Sequence, residues 1–130
     1  MSTLKILYVD DEPDIREVAC LSLEMDPDLD VRTAGSAEAA LGLLDAEAAA
    51  GGWTPDLFLL DVMMPGTDGP TLLQAIRERP AFEATPAVFI TARAQRQEAE
   101  RLMALGAVAV IAKPFDPMTL ASEVRAAAAR

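Results

Sequence analysis

The chain has 130 residues, 52% of them hydrophobic, and 21 Asp+Glu against 11 Lys+Arg, a formal charge of −10 at pH 7. That length and apolar content suit one globular domain over residues 1–130 rather than a disordered chain, and the acid excess argues against nucleic-acid and anionic-membrane partners, which need clustered Lys and Arg. No His and a single Cys20 exclude imidazole catalysis, His-ligated zinc, Cys-rich metal sites and an internal disulfide, and fit a reducing cytosol.

Strand-like and helix-like patterns alternate to the end. Residues 4–9 are short, apolar and strand-prone, and stop at Asp10, Asp11 and Glu12. Pro13 suits a first helical position, and Asp14 and Glu17 sit where the helix dipole favours acids. Ile15, Val18, Ala19 and residues 22–25 carry that helical stripe on until Asp26-Pro27-Asp28 breaks it. Residues 29–33 read as a weak strand. Ser36 is placed as an N-cap, and Ala37, Ala40, Leu41, Leu44 and Ala48 keep helical spacing up to Gly51 and Gly52. Residues 57–60 form a continuous apolar run, as in a strand covered on both faces, and end at Asp61. A loop over 64–69 leads to a helix over 70–79. A fourth strand over 86–90 ends at Thr91, and a helix over 95–105 stops at Gly106. A fifth strand over 107–112 ends at Lys113-Pro114, and residues 116–130 close the chain as a helix.

Five such units with short connections predict an α/β domain with a parallel sheet and helices on both faces. No apolar run approaches the ~18–20 residues of a spanning helix, and the N-terminus lacks a signal-peptide pattern. A cytoplasmic protein is expected.

The polar residues fall at the strand ends. Asp10 and Asp11 follow the first strand, Asp61 the third, Thr91 the fourth and Lys113 the fifth. In an open parallel sheet these carboxyl ends share one edge, where ligands bind. Three carboxylates and one ammonium leave the edge at −2, and crowded like charges are unfavourable. A divalent cation neutralises it, and an all-oxygen donor set with room for water suits Mg²⁺. Asp61 is then placed to attack phosphorus, Lys113 to offset charge on the phosphoryl oxygens and the Thr91 hydroxyl to donate a hydrogen bond. Taken singly, each residue has an ordinary explanation as a helix-start acid, a turn Asp, a strand-end Thr or a surface Lys. Together, all four strand ends carry complementary chemistry.

The segments Val9-Asp10-Asp11-Glu12, residues 60–69, Thr91-Ala92-Arg93 and Lys113-Pro114-Phe115 resemble those of receiver domains of bacterial two-component response regulators, in the same order and over essentially the whole chain. The resemblance implies a flavodoxin-like (βα)5 fold with strand order 2-1-3-4-5. It implies Asp61 as the phosphoacceptor, serving a histidine kinase or histidine phosphotransfer protein, and a stoichiometric switch rather than an enzyme. It further implies Mg²⁺ bound directly by Asp11, Asp61 and the Met63 carbonyl, with Asp10 acting partly through water. The phosphoryl group would be met by Lys113, the Thr91 hydroxyl and the Ala92 amide, and the Lys113–Pro114 bond would be cis. The absent His then belongs to the partner. With no output domain after Arg130, a stand-alone receiver is expected, signalling to a protein partner through the face of the fourth helix, fifth strand and fifth helix.

Three features depart from the family pattern. Val110 occupies the position usually held by an aromatic switch residue, and a β-branched aliphatic has no comparable swing. Val108-Ala109-Val110 is more apolar than usual, which suits partner docking, a homodimer or plain strand packing. The stretch from Ala49 to Thr54 is longer than usual, with Trp53 read as a packing anchor. Cys20 is read as a small buried hydrophobe, Met1, Met25, Met103 and Met118 as start or filler residues, and Arg93, Arg96 and Arg101 with Glu98 and Glu100 as a solvated face. Two other functions stay open: a phosphorylation-independent binding module on the same fold, and a Mg²⁺-dependent phosphohydrolase with an Asp nucleophile on the first strand.

Overall fold

A computed structural model describes residues 3–129, so Met1, Ser2 and Arg130 lie outside the described residues. The strands are β1 (Leu4–Val9), β2 (Leu29–Ala34), β3 (Leu57–Asp61), β4 (Ala87–Thr91) and β5 (Ala109–Ala112). They pair in parallel in the order β2-β1-β3-β4-β5, the expected flavodoxin-like order. The helices are α1 (Pro13–Glu24), α2 (Ala37–Ala50), α3 (Gly69–Arg77), α4 (Arg96–Ala104) and α5 (Leu120–Ala128).

Alternation along each strand sorts the core into two layers. Leu7, Val9, Phe58, Leu60 and Phe89 face one side, where Ala40 and Leu44 of α2, Leu72 and Ile76 of α3 and Leu102 of α4 cover them. Ile6, Tyr8, Leu57, Leu59, Val88 and Ile90 face the other side, against Ala19 and Leu23 of α1 and Leu120, Val124 and Ala127 of α5. β1, β3 and β4 are flanked by strands and covered on both faces, which explains their unbroken apolar runs.

Local signals set most boundaries. Pro13 opens α1, and the Ser36 hydroxyl accepts the Ala39 N–H as the N-cap of α2. Trp53 is the packing anchor expected of it. It is buried, its Nε1 donates to Asp30 at 2.9 Å, and the Arg32 guanidinium lies 4.7 Å over its ring.

Several expectations need correcting. Helix α3 ends at Arg77 rather than 79, because Pro80 starts a separate 3-10 turn over Pro80–Phe82. β5 begins at Ala109 rather than 107. α5 begins at Leu120 rather than 116, because the Asp116 carboxylate accepts the Met118 N–H and builds a local turn that competes with helix. Cys20 is half-buried rather than buried. Met25, Met103 and Met118 are exposed, so they are not core fillers. Val108, just before β5, and Ala109 pack on the α1/α5 layer and Val110 on the opposite layer, which favours plain packing for this segment. No helix among the described residues is long and apolar enough to cross a membrane.

Candidate functional site

The carboxyl ends of β1, β3, β4 and β5 deliver the polar residues to one edge. Asp10 continues β1, and its N–H reaches the Ala34 carbonyl at 3.1 Å. Asp61 is the last residue of β3 and pairs with Ile90. Thr91 ends β4, and its carbonyl accepts the Lys113 N–H at 2.8 Å. Asp10, Asp61 and Thr91 are among the few buried polar residues of the chain. One carboxylate oxygen from each of Asp10, Asp11 and Asp61 lies within 4.8 Å of the others.

Lys113 ties the cluster together. Its Nζ stands 2.9 Å from Asp10 Oδ2, 3.1 Å from Glu12 Oε1 and 3.5 Å from Asp61 Oδ2, with only 12% of the side chain exposed. The Lys113–Pro114 bond is cis. Ala92, Arg93 and Met63 line a cleft of about 150 Å³ together with Glu12, Asp61, Thr91 and Lys113. The structure therefore brings together the candidate site residues named from the sequence: Asp10, Asp11, Asp61, Met63, Thr91, Ala92 and Lys113.

The electrostatics follow from burial and crowding. Burial first, then the Asp10 charge, push the Asp61 carboxyl up to about 7, against the opposing pull of Lys113. Burial alone would lower Lys113. Its hydrogen bonds to Asp10 and Glu12 and the charges of Asp61 and Asp10 outweigh that and hold it above the usual lysine value. The Thr91 Oγ1 accepts the Arg93 N–H at 3.0 Å, which leaves the hydroxyl proton for another acceptor.

Three supporting residues escaped the sequence reading. Tyr8 donates its hydroxyl to Asp10 Oδ2 at 2.5 Å. The signal was present, since residues two apart on a strand share a face. Glu12 reaches Lys113 across 101 positions of sequence, which no local pattern reveals. Gly69 lets the start of α3 approach β3, because a Cβ there would lie 2.3 Å from the Asp61 carbonyl oxygen.

Comparison with known proteins decides the family. A profile described as response regulator receiver domain matches residues 6–125. The chain belongs to that family. It is 37% identical over 127 residues to response regulator Rre1 of Synechocystis, covering 98% of this chain and 52% of Rre1. It is 34% identical over 122 residues to the phosphate regulon transcriptional regulatory protein PhoB of Escherichia coli, covering 94% of this chain and 50% of PhoB. The receiver chain thus spans about half the length of these two relatives. Among solved structures, a response regulator from Chloroflexus aurantiacus superposes with a TM-score of 0.84 at 31% identity, covering 99% of this chain and 100% of that one. The chemotaxis response regulator CheY4 of Vibrio cholerae gives 0.81 at 28% identity, covering 97% and 99%. Receivers of this family are signalling proteins of two-component systems.

Proposed function

We propose that this receiver is a phosphoacceptor switch that takes a phosphoryl group on Asp61 from a histidine kinase or histidine phosphotransfer protein in the cytoplasm. The observation that carries the reading is the buried Asp61 carboxylate, 3.5 Å from the Lys113 ammonium and clustered with Asp10 and Asp11. Three hard oxygen donors with excess negative charge fit Mg²⁺. Asp11, Asp61 and the Met63 carbonyl would hold it, with Asp10 acting through water. When bound, the ion offsets charge on the phosphoryl oxygens.

In the transfer, an Asp61 carboxylate oxygen attacks phosphorus and forms an acyl phosphate. The bond from phosphorus to the donor imidazole nitrogen breaks, and the imidazole keeps the electron pair. Lys113 faces the incoming charge, and the Thr91 hydroxyl and Ala92 N–H supply donors from the neighbouring strand end. Beside Lys113, a pocket of about 350 Å³ lined by Ile15, Val18, Pro114, Phe115 and Pro117 offers an apolar shelf to the donor protein. Leu21 of α1 and Met25 just beyond its end offer further exposed apolar surface. Phosphorylation then draws Thr91 toward the new charge and shifts the population of the α4–β5–α5 face that meets the downstream partner.

Incubation with radiolabelled acetyl phosphate and Mg²⁺ tests this. The wild type is expected to take up label that EDTA suppresses, and Asp61→Asn to take up none. Equal labelling of Asp61→Asn would overturn the assignment.

A further inference from the structure

The chain has a single tyrosine, and Tyr8 is fully buried beneath the carboxylate cluster. Its hydroxyl and the Lys113 ammonium both point at Asp10 Oδ2, at 2.5 and 2.9 Å. The Glu12 N–H takes Oδ1 at 3.0 Å. The Asp10 backbone is also held, by Arg16 Nη1 donating to its carbonyl at 2.6 Å.

A carboxylate oxygen offers about two lone pairs. Protein donors therefore saturate Oδ2, and Asp10 keeps one free lone pair, on Oδ1. That residual valence bears on cation choice. Ca²⁺ gathers about six to eight oxygens and accepts carboxylates in bidentate fashion, whereas Mg²⁺ keeps several waters and needs one or two direct carboxylates. A three-carboxylate cluster with every oxygen free suits Ca²⁺. The same cluster with one carboxylate tied back suits Mg²⁺.

We infer that Tyr8 is a specificity-determining residue: its hydroxyl, by occupying Asp10 Oδ2, holds Asp10 out of bidentate ligation and favours Mg²⁺ over Ca²⁺ at Asp10, Asp11 and Asp61. The inference rests on the Mg²⁺ reading of the cluster proposed above. Packing alone does not account for the Tyr8 hydroxyl. A Phe would fill the same space on the α1/α5 side of β1 without touching Asp10.

Calorimetric titration of the wild type and Tyr8→Phe with MgCl2 and with CaCl2 tests it. In the variant, Ca²⁺ affinity is expected to gain relative to Mg²⁺ by roughly three- to tenfold, the net value of one typical intramolecular hydrogen bond. A loss of packing alone would move both affinities together, so an unchanged ratio overturns the inference. A second measurement needs no variant: the wild type is expected to bind Mg²⁺ at least as tightly as Ca²⁺, and tighter binding of Ca²⁺ also overturns it. A wild type that binds neither cation would instead sink the metal reading, and this inference with it. Mg²⁺ binding with an unchanged ratio in Tyr8→Phe sinks this inference alone.

Discussion

The Lys113 ammonium stands 2.9 Å from Asp10 Oδ2 but 3.5 Å from Asp61 Oδ2, so its charge is directed mainly at Asp10 and Asp61 is left undercompensated. This is why burial and Asp10 prevail and carry the Asp61 carboxyl from 3.8 to about 7. The sign of the consequence is fixed. Between those values the native state holds a proton that the unfolded chain has released. Stability of the metal-free protein therefore falls as pH rises through that window, by up to about 1.4 kcal/mol per pH unit. Asp61→Asn removes the titration and is expected to stabilise the metal-free protein by about 2 kcal/mol at pH 7.5, with the gain shrinking towards pH 5. Urea unfolding at both pH values measures this, and equal midpoints for wild type and variant at pH 7.5 would refute the crowding argument. Millimolar Mg²⁺ is expected to raise the wild-type midpoint and not that of Asp61→Asn.

Removing the cation has the opposite effect. Lys113→Ala leaves Asp10 and Asp61 buried with no ammonium between them. Stripping one partner from a buried ion cluster costs about 3–5 kcal/mol. The loss is expected in full at pH 8 and in smaller part at pH 5, where Asp61 is protonated. Chemical unfolding at the two pH values separates this from simple loss of packing, which would not depend on pH. Label uptake from acetyl phosphate is expected to fall by about 100-fold.

Cys20 offers an independent check on the electrostatics away from the site. Burial, followed by the hydrogen bond its thiol donates to Glu24, pushes it from 9.0 up to about 11. Only the thiolate is alkylated, so its reaction with iodoacetamide at pH 8 is expected to run about 100-fold slower than that of a free thiol. Glu24→Gln is expected to accelerate it. Intact-mass kinetics reads both rates, and alkylation at the free-thiol rate would contradict the upward push from burial and Glu24.

The residues that the sequence made legible share one property: each terminates an apolar run. Asp10, Asp61, Thr91 and Lys113 stand out because β1, β3, β4 and β5 are apolar before them, and parallel topology then forces them to one edge. What stayed hidden depends on long-range partners or on competition between local turns. The Glu12 contact with Lys113 exists only once β1 and β5 share a sheet edge. The late start of α5 reflects the Asp116 turn, whose composition is as compatible with a helix start as with a loop. The Tyr8 hydroxyl lay in plain view two positions from Asp10. A Tyr in an apolar strand nevertheless reads as core until its neighbours are placed.

Gly69 shows how closely backbone geometry holds Asp61. A Cβ on this residue would lie 2.3 Å from the Asp61 carbonyl oxygen and 3.1 Å from the Val62 Cα, and neither backbone atom can retreat without moving β3. The requirement is for space. Gly66, in the loop before α3, is the converse case: its φ of +78° is strained for other residues, but a Cβ there meets open space. Gly69→Ala is expected to cost about 1–3 kcal/mol of stability and to slow labelling at Asp61, because relief of the clash displaces the carboxylate. Gly66→Ala is expected to cost about 1 kcal/mol through backbone strain with labelling largely kept. Melting temperature and label uptake, measured for both variants, test the distinction. Normal labelling by Gly69→Ala would show that the approach of α3 does not position Asp61.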